Sequence, residues 1–255
     1  MEEIEIIRVI NSKKEIISDF VAREVPLTIY CNQEEVITLL CSPSDLKELA
    51  IGFLYSSGFI KSFKEIKGTS QDTQKWIVFV KTGSKTKIKE LAYKRVFTSG
   101  CGRGTLFYNA VDLIHRKKIK TDFRISGESI FGLMTEFNRK GEIFRKTGCT
   151  HSSGLSDGKD MIVFKEDIGR HNAVDKVIGE SLIKNLDMRN SVLFTSGRIS
   201  SEIIFKLQKA EIPVIISRSA PTNQAVKLAK EFGISLVCFV RGKRMNIYSG
   251  KDRII

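Results

Sequence analysis

The stretch Thr98–Leu106, TSGCGRGTL, sets one cysteine among glycines with an arginine two residues further on. Gly100, Gly102 and Gly104 leave the backbone open to close approach by another molecule. Arg103 adds a positive charge. Both features suit a thiolate, the reactive form of cysteine. From the residues alone three roles stay open for Cys101: nucleophile, metal ligand, or small apolar side chain in a turn.

Three further stretches suit an anion. FTSGRISSE holds Thr195, Ser196 and Arg198; ISRSAPTNQ holds Ser217, Arg218 and Ser219. Each leaves an apolar strand and enters a helix. In a parallel sheet both loops lie at the carboxyl edge of the strands, where open α/β sheets bind ligands. Helix N-termini there present unpaired N–H groups to an anion, although Ser200 and Thr222 also suit simple N-caps. The third stretch, FVRGKRMNIYS, places Arg241, Lys243 and Arg244 around Gly242 and reads as a basic hairpin turn. A Walker loop and a G-x-G-x-x-G dinucleotide loop are both absent.

The densest polar cluster is KEDIGRHNAVDK, with Glu166 and Asp167 ending a strand and Gly169-Arg170-His171-Asn172 leading into a helix. This cluster suits hydrogen bonding to a ligand, and equally a network of caps and ion pairs. GCTHSSGL places Cys149 two residues before His151, the spacing of half a metal site. No C-x-x-C or H-x-E completes it, so no zinc is expected. His115 reads as structural or exposed, and Cys31, Cys41 and Cys238 as buried, inert thiols in apolar strands.

The elements that must position these groups change character along the chain. VPLTIY and EEVITLL form a strand pair around Cys31-Asn32-Gln33. Ser44 is expected to cap a helix that Gly58 ends, WIVFV is a strand, and Lys85–Arg95 is expected to be helical. From Ser126 the rhythm is clearer. A helix there closes at Gly141, and apolar strands MIVFKED, SVLFT, PVIIS and SLVCFV then alternate with short helices. That alternation predicts an α/β fold whose sheet is mainly parallel. A smaller mixed α+β lobe over 1–120 is expected to carry the cysteine loop, and an α/β lobe over 121–255 the nucleotide-binding loops, with a tight junction near Thr121.

The 255 residues carry a formal charge of +13, which favours a polyanionic partner. Lysine-rich KTGSKTKIKELAYKR lacks interleaved aromatics, so nucleic acid is not expected. No apolar run reaches membrane-spanning length and the acidic start lacks a signal-peptide pattern, so the expected location is the cytoplasm. Five dispersed cysteines suit free thiols in a reducing compartment.

The ordered set TSGCGRG, TGCTHSSGL, EDIGRHNAVDKVIG, TSGRISSE, SRSAPTNQAV and FVRGKR, ending in NIYS, resembles the formate dehydrogenase accessory proteins of the FdhD family from about Val25 to Tyr248. The resemblance implies a cytidine-deaminase-like C-terminal lobe without zinc chemistry, and a homodimer. It also implies a sulfurtransferase that takes sulfane sulfur from a cysteine desulfurase to the molybdenum bis(molybdopterin guanine dinucleotide) cofactor of formate dehydrogenase. Cys101 stands at the persulfide-forming position. Phe239, Val240, Arg241, Gly242, Lys243 and Arg244 stand in a cofactor-binding segment. Thr195, Ser196, Arg198, Ser217, Arg218 and Ser219 are expected at the guanine nucleotide site and His171 among the cofactor-binding residues; His171 and Glu166 are also candidates, on their residue types, to assist the transfer. Most family members have C-x-x-C where this chain has Cys101 and Gly104. The departure leaves a single-cysteine relay, and keeps open a non-catalytic chaperone that binds and delivers the cofactor.

Overall fold

The computed structural model describes residues 1–83, 95–97, 105–107 and 118–255. An N-terminal hairpin, β1 (Glu2–Ile10) and β2 (Lys13–Val21), precedes a four-stranded sheet. That sheet is built from β3 (Val25–Cys31), β4 (Glu34–Cys41), β5 (Ile66–Asp72) and β6 (Ile77–Thr82), in the order β4-β3-β6-β5. Its inner face alternates strictly: Val25, Leu27, Ile29 and Cys31 of β3 are buried, and they pack with α1 (Leu46–Ser56). Two short strands, β7 (Arg95–Phe97) and β8 (Thr105–Phe107), pair antiparallel. The helix expected over Lys85–Arg95 lies largely outside the described residues.

The C-terminal half opens with α2 (Gly127–Lys140) and α3 (Glu142–Thr147). Its sheet contains β9 (His151–Ser156), β10 (Met161–Asp167), β11 (Val192–Thr195), β12 (Val214–Ser217), β13 (Ser235–Arg241) and β14 (Arg244–Ser249). Helices α4 (Arg170–Ile183), α5 (Ser201–Ala210) and α6 (Asn223–Phe232) cover one face through Val174, Ile203, Leu207 and Ala229; α2 covers the other through Ile130, Leu133 and Phe137.

This sheet corrects the expectation of a mainly parallel one. The order is β10-β9-β11-β12-β13-β14; β11–β12 and β12–β13 are parallel, and the other three ladders are antiparallel. Two of the three antiparallel ladders, β9–β10 and β13–β14, are tight hairpins, which can join only antiparallel strands. In one, Asp157 Oδ1 accepts from the backbone N–H groups of Lys159 and Asp160 at 2.8 and 2.9 Å. In the other, Gly242 turns the chain at φ +57°. Strand β9 escapes a reading by hydrophobicity because HSSGLS is small and polar. Its neighbours demand small residues: a Cβ on Gly154 would stand 2.5 Å from Met161 Sδ and 2.9 Å from Val163 O.

The start of α1 is a second correction. Asp45 occupies the N-cap with φ +54° and makes no side-chain cap bond. Its carboxylate instead pairs with Lys165 at 2.5 Å. Lys165 also pairs with Glu180, so one cation joins β10 to both α1 and α4.

Helices α1 and α4 touch backbone to backbone. A Cβ on Gly52 would sit 1.9 Å from Asp175 O, and one on Gly179 would sit 1.9 Å from Glu48 O. Gly179→Ala must therefore separate the helices, at a cost at or above the roughly 1–3 kcal/mol of ordinary overpacking. Gly132→Ala, in α2 with nothing within 4 Å of the added methyl, should instead stabilise by up to about 1 kcal/mol. Urea titrations of the two variants should move in opposite directions; a neutral Gly179→Ala would show that the helix contact yields freely.

Candidate functional site

The parallel strands β11, β12 and β13 end at one edge of the sheet, and the loops leaving them are bonded to each other. Ser217 Oγ donates to Gly197 O at 2.8 Å, linking the second loop to the first. Phe239 N donates to Ser219 O at 3.1 Å, and Arg241 Nε to Arg218 O at 3.4 Å, linking the third to the second. The last link depends on a bulge in β13, where Phe239 has φ +55° and the pairing with β14 shifts. A positive φ is costly for an aromatic residue and persists only where its surroundings fix it.

These bonds divide the expected site residues by role. Thr195 and Ser217 are buried, and their hydroxyls are engaged in shaping the loops; Thr195 Oγ1 accepts from Gly197 N at 3.2 Å. Ser219 gives its N–H to Ser217 Oγ at 2.9 Å. Val240 is in the core beneath α2, which withdraws its side chain from any ligand. Arg198 and Arg241 are exposed and Arg218 half-buried, so the guanidinium groups are the charged parts of this edge that face outward. Gly242, Lys243 and Arg244 are exposed and continue the basic segment at the hairpin turn. The N-terminus of α6 is closed by its own cap, since Thr222 Oγ1 accepts from Ala225 N at 3.2 Å.

A pocket beside this edge is lined by Phe137, Asn138, Gly141, Phe144, Ser152, Ser196 and Arg218. Arg218 reaches Asn138 Oδ1 at 3.4 Å and lies 5.8 Å from the centre of the Phe144 ring, a cation–π distance. Asn138 and Phe144 escape a reading by motif because they sit on α2 and α3, far from the loops in sequence.

The polar cluster of β10 and α4 proves mostly structural. Glu166 accepts from Ile143 N, Phe144 N and Thr150 Oγ1 at 3.0, 2.8 and 3.0 Å, tying down the start of α3. Both its oxygens are engaged, which argues against a part in sulfur transfer. Asp167 pairs with Lys176 at 2.7 Å with both side chains fully buried. Asp175 receives Lys206 at 2.7 Å and Ser56 Oγ at 2.9 Å.

Two members of that cluster stay near the ligand edge: Arg170, whose side chain packs against Gly197, and His171. His171 Nε2 lies 2.7 Å from Glu202 in the first turn of α5, and 3.4 Å from Ser200 Oγ. His151, at the start of β9, pairs through Nδ1 with Ser196 Oγ at 3.4 Å. Burial holds the His151 pKa below its ordinary value, and the neighbouring charges of Arg170 and Arg198 push the same way. His151 is thus bonded to the Ser196 loop, while Cys149, two residues earlier, is exposed. Cys101 and His115 lie outside the described residues; β7 and β8 flank Cys101 in sequence.

The class these features define is an α/β protein, built mainly on a four-stranded and a six-stranded sheet, with an arginine-bearing ligand edge at the ends of parallel strands. Comparison with known proteins narrows it. A family model described as the FdhD/NarQ family matches residues 22–255, and the chain belongs to that family. It is 40% identical over 238 residues to the sulfur carrier protein FdhD of Bacillus pumilus, covering 93% of this chain and 91% of that one. It is 39% identical over 239 residues to the protein of the same name from Staphylococcus aureus strain MRSA252, covering 93% and 90%. A crystal structure from Desulfotalea psychrophila, described as that of a formate dehydrogenase accessory protein, superposes with a TM-score of 0.83 at 26% identity. The match covers 100% of this chain and 99% of the other.

Proposed function

We propose that this chain is a sulfur carrier for the cofactor of formate dehydrogenase. Cys101 thiolate attacks the terminal sulfur of a cysteine desulfurase persulfide; the desulfurase thiolate leaves, and Cys101 becomes the persulfide. The terminal sulfur then passes to the molybdenum bis(molybdopterin guanine dinucleotide) cofactor, which is substrate here: the S–S bond breaks, Cys101 leaves as the thiolate, and the two electrons that bring the sulfur to the sulfide level come from that substrate in its reduced form. Arg103 and the glycine-rich backbone favour the anionic sulfur. Phosphate groups of the cofactor engage Arg198, Arg218 and Arg241, with Lys243 and Arg244 extending the basic strip. His171, held by Glu202, borders the same edge. The enzyme class is sulfurtransferase, the assembly a cytoplasmic homodimer, and the C-terminal lobe a relative of the cytidine deaminases.

The observation that carries this reading is the bonding of three arginine-bearing loops into one edge, in a chain whose relatives are named sulfur carriers. Incubation with a desulfurase and cysteine, followed by intact-mass measurement, tests the carrier step: the chain should gain one sulfur atom. The cofactor edge has its own test. GDP should bind without added metal and more tightly than ADP, and rising salt should weaken it, because partly exposed phosphate pairs are screened. Arg218→Ala or Arg241→Ala should raise the GDP dissociation constant by about tenfold, the worth of one charge-assisted hydrogen bond. Calorimetry giving equal affinities for GDP and ADP would move the nucleotide elsewhere.

A further inference from the structure

The N-terminal hairpin is the least explained part of the chain. β1 and β2 pair with each other alone, in a two-stranded sheet that joins neither larger sheet. An isolated two-stranded hairpin is at best marginally stable in water, and among the described residues neither edge of this one pairs with a further strand. Each strand has nine residues, which gives the arm a length of roughly 30 Å. Its base touches α3, where Lys146 lies 5.5 Å from the Phe20 ring. The rest is bare. Ile7 and Ile16 face each other across the ladder and are 64% and 70% exposed; Val9 on the same face is 58% exposed. Contiguous exposed apolar side chains of this kind mark a contact surface, and a free strand edge marks one as well.

Charge selects the occupant. Residues 2–21 contain five acidic and three basic side chains, a net −2, whereas the whole chain is +13. The remaining residues therefore carry +15. An acidic apolar arm fits a strongly basic surface, and the body of another copy is such a surface. Two +13 chains repel each other; laying each arm on the other body replaces part of that repulsion with attraction. The exchange closes under a twofold axis, so it stops at two copies.

We propose that the β1–β2 hairpin is a dimerisation arm that docks on the body of a second copy of this chain. The proposal rests on the homodimer named under the proposed function and supplies its contact surface. The test is sedimentation or light scattering of the intact chain beside Ile7→Glu/Ile16→Glu. The wild type should be dimeric at micromolar concentration. The double variant should keep the wild-type melting temperature and raise the dimer dissociation constant by about 100-fold or more, since each substitution counts twice in a symmetric pair. Glu3→Lys/Glu5→Lys leaves the isoleucine ladder intact and should also weaken the dimer, most strongly at low salt. It decides the matter if the first variant loses its hairpin. A wild-type monomer overturns the arm and the homodimer together. A dimer that both variants leave unchanged overturns the arm alone and places the dimer contact elsewhere.

Discussion

Replacing Cys101 with serine should abolish sulfur loading while leaving GDP binding within about twofold of wild type. A serine hydroxyl cannot form the persulfide, so the mass increase after incubation with a desulfurase should vanish and activation of a formate dehydrogenase should vanish with it. The other cysteines offer little substitute. Cys31, Cys41 and Cys238 are buried. Burial pushes all three thiols up, to about 12 for Cys41, where the nearby Asp167 charge adds to the effect, and to about 12 for Cys238. At neutral pH a thiol with that pKa is thiolate in only about one part in 100,000. Iodoacetamide should accordingly spare these two and label Cys101 first. Cys149 is exposed, so Cys149→Ser is the control and should load sulfur normally. With Gly104 at the position of the family's second cysteine, no local disulfide can shield the persulfide, and external thiols should discharge it readily. If Cys101→Ser still activates formate dehydrogenase fully, the relay is wrong and the cofactor-chaperone reading replaces it.

The largest loss of stability should come from breaking the buried pair of Asp167 and Lys176. Both side chains are fully buried, 2.7 Å apart. Asp167 also accepts from Ser42 N at 3.0 Å, Gly169 N at 2.8 Å and Asn172 Nδ2 at 2.9 Å. Lys176 donates to Ser42 O and Glu166 O at 3.4 and 3.3 Å. One carboxylate thus joins the end of β4 to the start of α4, the junction of the two sheets. Lys176→Met leaves that carboxylate buried without its cation, a change that costs about 3–5 kcal/mol. Total stabilities of single domains run to only about 5–15 kcal/mol, so the variant should unfold at a much lower urea concentration. Asp167→Leu/Lys176→Met removes both charges and should recover part of the loss. A Lys176→Met variant within about 1 kcal/mol of wild type would show that water or rearrangement satisfies Asp167.

Most of the C-terminal elements were legible because caps and periodicity agree there. Ser126, Ser200 and Thr222 stand at the N-caps of α2, α5 and α6, one residue before each helix begins. Gly141 and Gly233 stand at the C-caps of α2 and α6. The loops of Arg198, Arg218 and Arg241 were legible for the same reason, since each follows an apolar strand. Other features were not. Strand β9 is built of serines and glycine, whose burial depends on neighbours over 30 residues away in β11. Glu166, read as a group assisting transfer, serves as a helix anchor because α3 folds back onto it. The N-terminal hairpin has apolar residues on both faces, so no alternation announces it.

By itself the sequence determined the ingredients: a solitary glycine-flanked cysteine, three basic loops at strand ends, free thiols, and the family to which the chain belongs. These depend on residue type and short spacing, which local physics reads directly. The tertiary structure decided which charged groups remain available for a ligand. Asp167, Asp175, Lys176 and Lys206 look as reactive on paper as His171, yet folding pairs and buries them, because an unpaired charge in the interior is too costly. It also decided that Val240 packs inward while Arg241 stays exposed. Alternate strand residues point to opposite faces, and which face is core depends on a helix a hundred residues earlier in the chain.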